Sequence, residues 1–183
     1  MGMTTTKTSH FLTFEQYNPK RISYIVVTKN RAEHLANVLS LTTDRMTSED
    51  ELIVIDGGSA DHTVETVNRF KDSVDVFVSE PDISAGHALN KGILLSHGKY
   101  IKQLTDDDDL AYREGMEKMC AIMDEHPEID VLVGGGIWHN KNGKQIAFYL
   151  PPGTNYGSKP EDVFLYGACG GGPLIRRSVF AKV

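Results

Sequence analysis

Neither Cys-x-x-Cys nor His-x-x-x-His occurs among the two cysteines and seven histidines of this 183-residue chain, so a zinc centre is not expected. Cys120 and Cys169 stand far apart and are expected as buried thiols of a reducing compartment. There is no Gly-x-Gly-x-x-Gly and no Walker A loop, which argues against dinucleotide and P-loop chemistry. No apolar run is long enough to span a bilayer and no signal-peptide core is present, so the expected location is cytoplasmic or peripheral at a membrane. The formal net charge of −6 does not suit a polyanionic partner, and nucleic acid is set aside. Internal repeats and low-complexity tracts are absent too.

What is present is an ordinary globular composition, sufficient for one domain with a real core; about 70% of the unfolded surface of such a chain is buried on folding. Residues 1–20 are polar and aperiodic and are expected to form a loose arm, with one domain over 21–183. Ile22–Val27 is dense in β-branched residues and is expected as a strand buried on both faces. Thr28-Lys29-Asn30 follows as a turn, and Asn30 with Glu33 resembles a capping box for a helix carrying Leu35, Val38, Leu39 and Thr42 on one face. The plan then repeats. Strands are expected at Leu52–Ile55, Val74–Ser79, Lys99–Leu104 and Val131–Val133, with helices at 61–70 and 84–96 between them. Met116, Met119, Cys120 and Met123 recur at helical spacing and are expected in the core. Gly143 is expected to turn a hairpin joining Ile137-Trp138 to Ile146–Phe148. Such alternation implies an α/β fold with a mostly parallel sheet flanked by helices.

In a parallel sheet the loops after the strands share one edge, and ligands bind in the crevice beyond it. Three loops are expected there: Thr28-Lys29-Asn30, Asp56-Gly57-Gly58-Ser59 and Thr105–Asp109. Asp56 can accept hydrogen bonds from a base or ribose, or can cap the following helix. The run Asp106-Asp107-Asp108-Asp109 repels itself unless a cation or donors neutralise it. Solvated acidic turns are common, but oxygen-only sites also suit Mg2+ or Mn2+, especially where phosphate completes the shell. An EF-hand is excluded, since Leu110 and Ala111 break its alternation.

Several segments in order resemble the family 2 glycosyltransferases, inverting enzymes of the GT-A fold. They are Val26–Leu35, Glu51–Asp61, Ser79-Glu80-Pro81-Asp82, Ala88–Ile93, Gly98–Ile101 before the Asp run, and Leu174–Phe180. The resemblance implies transfer of a sugar from a UDP- or GDP-sugar to a glycan or lipid-linked acceptor, with inversion, in surface polysaccharide or glycan synthesis. It places the DXD-type motif on the Asp run, with Asp107 as the main metal-binding carboxylate, Asp108 beside it, and Asp106 supporting the nucleotide-sugar side. It also places Val27, Thr28, Lys29 and Asp56 at the nucleoside and Asn90-Lys91 near the donor's phosphates and sugar.

The chain departs from the pattern in two places. Lys29 stands where many members carry an aromatic residue, and Gly57 where many carry a second Asp. The family's catalytic carboxylate base is expected past the Arg176-Arg177-Ser178 segment, beyond Val183. Sugar-nucleotide pyrophosphorylases share a similar sheet but need a basic, Gly-rich loop after the first strand, which Val27–Asn30 does not supply. A non-catalytic nucleotide-sugar or glycan-binding module of the same fold is the second reading.

Overall fold

The computed structural model describes residues 20–105, 113–134, 136–139, 145–149 and 172–181. In order these form β1 (Ile22–Thr28), α1 (Ala32–Arg45), β2 (Glu51–Asp56), α2 (Thr63–Arg69), β3 (Val76–Ser79), α3 (Ala85–Leu95), β4 (Tyr100–Thr105), α4 (Arg113–Glu125), β5 (Val131–Leu132), β6 (Gly136–His139), β7 (Gln145–Tyr149) and β8 (Leu174–Arg176), then a 3-10 turn at Arg177–Ala181. The expected arm and the Gly143 turn lie outside the described residues, although β6 and β7 do pair antiparallel, Ile137 opposite Phe148.

Six strands form one sheet in the order β3-β2-β1-β4-β8-β5. The first four run parallel. From β1 the chain steps outward to β2 and β3, then returns to place β4 on the other side of β1. The strand order therefore reverses at the β1–β4 boundary, where open α/β sheets make their crevice.

Alternation along the strands splits the core in two. Tyr24, Val26, Leu52 and Val54 pack with Leu35, Val38 and Leu39 of α1, Val67 of α2, and Met116, Cys120 and Met123 of α4. Ile25, Ile53, Ile55 and Ile101 point the other way, against Ala88 of α3, with Phe180 packed at the margin. The expectation that β1 is buried on both faces and the helical reading of the methionines are both realised. Burial pushes the Cys120 thiol up to about 11, so it stays protonated and packs as a small apolar group. α3 lies so close to the sheet that a Cβ on Gly92 would come within 2.4 Å of Ile25 Cγ2.

Some boundaries shift. β3 begins at Val76, because the Val74 N–H closes a turn on the Phe70 carbonyl at 3.0 Å. α2 is shorter than its apolar pattern, Thr63–Arg69. The capping box is not formed: the residue before α1 is Arg31, with no side-chain cap, and Asn30 turns to the neighbouring loop. The regular parallel order is also interrupted, since β8 enters antiparallel between β4 and β5. Arg176 secures that insertion by donating to the carbonyls of Met123 at 2.7 Å and Ile129 at 3.0 Å, while Arg177 Nε donates to Gly98 O at 2.8 Å. Both arginines are thus framework residues.

At the N-terminal edge of the strands a carboxylate is buried among donors. Glu51 Oε1 accepts from Ser23 Oγ at 2.5 Å, His97 N at 2.6 Å and Gly98 N at 3.1 Å. His97 Nδ1 lies 3.3 Å from the other oxygen. Burial raises the Glu51 pKa, but the bonds from Ser23, His97 and Gly98 outweigh it and hold the group below its ordinary value.

Candidate functional site

At the opposite edge three strands end abreast. Thr28, Asp56 and Ser79 are consecutive partners across β1, β2 and β3, and Thr105, the last residue of β4, pairs with Val27. Pairing continues one step beyond the strands, with Gly57 N donating to Thr28 O at 2.9 Å and Glu80 N to Asp56 O at 3.0 Å. The expected convergence of the first two loops is therefore present, and the third begins beside them at Thr105.

Asn30 joins the first loop to the second. Its N–H donates to Ser59 Oγ at 2.7 Å, and its Oδ1 accepts from Ala60 N at 2.7 Å. Its φ of 53° lies in the left-handed region, which asparagine tolerates better than most residues. Asp61 repays the connection: its Oδ2 accepts from Ala32 N at 3.1 Å, serving the open end of α1. Its Oδ1 accepts from Thr63 Oγ1 at 2.5 Å and Thr63 N at 3.0 Å. The Thr63 hydroxyl leads the groups that hold the Asp61 pKa below the usual carboxylate value.

Asp56 is fully buried, and its carboxylate faces donors of its own chain. It accepts from Ser59 N at 3.1 and 3.2 Å, from Ser59 Oγ, and from Ser79 Oγ at 2.6 Å. It does not cap α2, whose first N–H goes to Asp61. The carboxylate instead clamps the second loop to the end of β3. Asp56 reads in the sequence as a ligand acceptor or a cap; the clamp is not visible there, because Ser79 is 23 residues away in the chain.

The loop after β3 carries a second buried carboxylate. Asp82 has a side chain only 6% exposed, and its Oδ1 meets Lys91 Nζ at 2.5 Å and His87 Nδ1 at 3.2 Å. Lys91 also reaches Glu80 Oε1 at 2.7 Å, and these bonds, Asp82's first, raise the ammonium's pKa. Asp82 Oδ2 has no hydrogen-bond partner. Lys91 therefore stands at the crevice as part of an ion-paired cluster, while Asn90 and Lys29 are exposed and Val27 is half-buried. The Lys29 stem lies along Gly57. Ser79-Glu80-Pro81-Asp82 belongs to the family resemblance as a segment, which assigns Asp82 itself no role; an Asp after Glu-Pro reads as turn chemistry.

Asp106, Asp107 and Asp108 lie outside the described residues. Among those described, no three His, Cys, Asp or Glu side chains gather as a metal site. The donor chemistry of the run 106–109, carboxylate oxygen only, fits a hard divalent ion. No helix among the described residues is long and apolar enough to cross a membrane.

The model for "Glycosyl transferase family 2" matches residues 23–183. A PGL/p-HBAD biosynthesis glycosyltransferase of Mycobacterium bovis is 28% identical over 123 residues, covering 66% of this chain and 48% of the relative. A poly-beta-1,6-N-acetyl-D-glucosamine synthase of Staphylococcus epidermidis is 26% identical over 130 residues, covering 70% and 31%. The chain thus spans half or less of the length of these curated relatives. Among solved structures, S. aureus TarS 1-349 in complex with UDP-GlcNAc superposes with a TM-score of 0.69 at 18% identity, covering 88% of this chain and 47% of that one. Mannosyltransferase PcManGT from Pyrobaculum calidifontis, in complex with GDP-Man and Mn2+, gives 0.64 at 16%, covering 90% and 48%. These likenesses establish the GT-A fold.

Proposed function

The chain belongs to glycosyl transferase family 2, and on that premise we propose that it forms the donor-binding part of an inverting glycosyltransferase using a UDP- or GDP-sugar. The observation that carries the reading is the single rung on which Thr28, Asp56 and Ser79 end, with Thr105, the residue that precedes the Asp run in sequence, paired to Val27. A nucleoside held across those loops places its diphosphate toward the β1–β4 boundary, where residues 106–109 begin. The structures with UDP-GlcNAc and with GDP-Man and Mn2+ support that class of donor. The acceptor is a glycan or lipid-linked hydroxyl; the name of the poly-beta-1,6-N-acetyl-D-glucosamine synthase supports the glycan.

In the proposed reaction the acceptor oxygen attacks the anomeric carbon from the face opposite the diphosphate. The C–O bond to the diphosphate breaks, and the hydroxyl proton passes to a base. A divalent ion, when bound by Asp107 and Asp108 with Asp106 beside them, supplies charge stabilisation to the departing diphosphate. The residues described here act earlier. Asn30, Ser59 and Asp61 fasten two loops together, and Asp56 clamps the second to Ser79, so the nucleoside meets a preorganised edge.

Calorimetry of the 183-residue chain with UDP and GDP tests the reading. Binding is expected with Mn2+ present and is expected to fall at least about tenfold with EDTA. Asp107→Ala should remove that metal dependence. Equal affinity with and without the ion would overturn the metal assignment, and no binding of either nucleotide would overturn the donor assignment.

A further inference from the structure

We propose that the unpartnered Oδ2 of Asp82 is the acceptor that reads the donor's nucleobase, favouring bases that present a ring N–H. The inference rests on the nucleotide-sugar reading above and adds to it a residue and a selection rule.

A buried carboxylate oxygen without a donor is costly, and such groups are uncommon enough in folded proteins to call for a reason. Two side-chain atoms among the described residues are in this state, Asp50 Oδ1 and Asp82 Oδ2. Asp50 precedes β2 at the sheet edge remote from the loops, and its charge is felt by the buried Tyr24 and Cys120. Asp82 stands at the C-terminal edge of the strands, beside the joined loops that follow β1 and β2. Its other oxygen is held by Lys91, with His87 Nδ1 3.2 Å away, so the direction of Oδ2 is set by a bond already made.

That direction is toward Gly57. A Cβ on Gly57 would lie 3.4 Å from Asp82 Oδ2, 3.2 Å from Lys29 Cδ and 3.5 Å from Lys29 Cβ. The free oxygen and the Lys29 stem therefore converge on the one face of the second loop that has no side chain. Lys29 is exposed and its ammonium does not reach the oxygen, so a flat ring can displace the stem and lie against Gly57. What the ring then meets is an acceptor that has no proton to give. Uracil N3–H and guanine N1–H satisfy it. Cytosine and adenine present a lone pair at the equivalent ring nitrogen, which faces the carboxylate unfavourably.

The test is calorimetry of the 183-residue chain with Mn2+ and six probes: UDP, GDP, CDP, ADP, 3-methyl-UDP and 1-methyl-GDP. A hydrogen bond to a charged group predicts that UDP or GDP binds at least about tenfold more tightly than CDP, ADP and its own N-methyl analogue. Asp82→Asn should erase most of that advantage and change CDP affinity little. Loss of affinity for every nucleotide by the same factor would assign Asp82 to loop positioning through Lys91 and overturn the proposal. N-methyl analogues that bind the parent as well as UDP and GDP do would overturn it too, leaving a trapped water as the partner of Oδ2. That comparison uses the parent chain alone and decides the matter even where Asp82→Asn fails to fold. Should no nucleotide bind, the donor reading itself falls; should UDP or GDP bind without base preference, only this proposal does.

Discussion

Two buried carboxylates stand at opposite ends of the same parallel strands, and they are treated differently. Glu51, at the start of β2, is 3% exposed and receives donors from Ser23, His97 and Gly98. Asp82, beyond the end of β3, has one oxygen tied to Lys91, with His87 nearby, and the other tied to nothing. Each charge is removed from water, and each needs partners to offset that cost. For Glu51 the fold supplies them all, although the neighbouring Asp50 keeps one oxygen, Oδ1, without a partner. At the C-terminal edge it stops short by one, beside a glycine that leaves room. The completed set at Glu51 is structural, and the open oxygen of Asp82, unlike that of Asp50, lies beside the loops at which a donor is proposed to bind.

The largest expected effect lies at the completed end. Glu51→Ala would strand two inward-facing donors, Ser23 Oγ and His97 N, while Gly98 N keeps Ser23 Oγ at 2.8 Å; at about 1–3 kcal/mol for each unsatisfied donor, urea unfolding should show a loss of at least about 2 kcal/mol. Nucleotide affinity of the folded fraction should be unchanged, because Glu51 lies a strand's length from the loops. A loss below about 1 kcal/mol would mean that water replaces the carboxylate, and the contrast between the two ends would fail. The same group has a pH signature. Its folded pKa lies below the ordinary 4.5, so the unfolded state takes up the proton first as pH falls. The stabilisation is complete above about 4.5 and is lost as pH drops through the folded value. Glu51→Gln should flatten the acid limb of a stability-versus-pH curve in that window; an unchanged limb would assign acid sensitivity elsewhere.

An intermediate effect is expected for Asp56, which shares the loop edge with Asp82 yet is fully bonded like Glu51. Asp56→Asn replaces one acceptor by a donor facing Ser59 and Ser79, and a cost of about 1–2 kcal/mol in thermal or chemical unfolding should follow. A variant that melts like the parent while losing UDP or GDP binding would show that the carboxylate leaves Ser59 and Ser79 for the ligand. The comparison would then have to count Asp56 with Asp82.

The smallest effect belongs to an exposed pair near the N-terminal edge. Asp124 takes Lys99 Nζ and the Tyr100 hydroxyl, the latter at 2.5 Å. Lys99's bond leads the causes of its lowered pKa, but the side chains of Lys99 and Asp124 are 54% and 43% exposed. Solvent and salt screen such a pair, so Lys99→Ala should cost no more than about 1 kcal/mol, less at high ionic strength. A larger, salt-insensitive loss would show that exposure, rather than bonding, is the wrong axis on which to compare the two ends.

Much of this architecture follows from local pattern. The β-branched runs at 22–27 and 52–55 are long enough and apolar enough to require cover on both faces. The spacing of Leu35, Val38 and Leu39 selects a helix, and the loops after such strands must share an edge. Those features depend on neighbours a few residues apart, which a sequence displays directly. It also displays the acidic run at 106–109 and the segments that match family 2. Other features were settled by contacts between distant segments. Asn30 reads as a cap partner of Glu33, three residues on, but bonds to Ser59 and Ala60, 29 and 30 residues away. Leu174–Arg176 stands out in the sequence only within a segment that resembles the family, yet it pairs with Lys102, Ile101 and Tyr100 and turns one strand of the sheet antiparallel. Glu51 finds donors 28 and 46 residues distant, and Asp82 finds Lys91 across a helical turn while leaving Oδ2 free beside Gly57. Hydrogen-bond completeness is a property of three-dimensional packing, so only the tertiary structure could decide which carboxylate is filled and which is open.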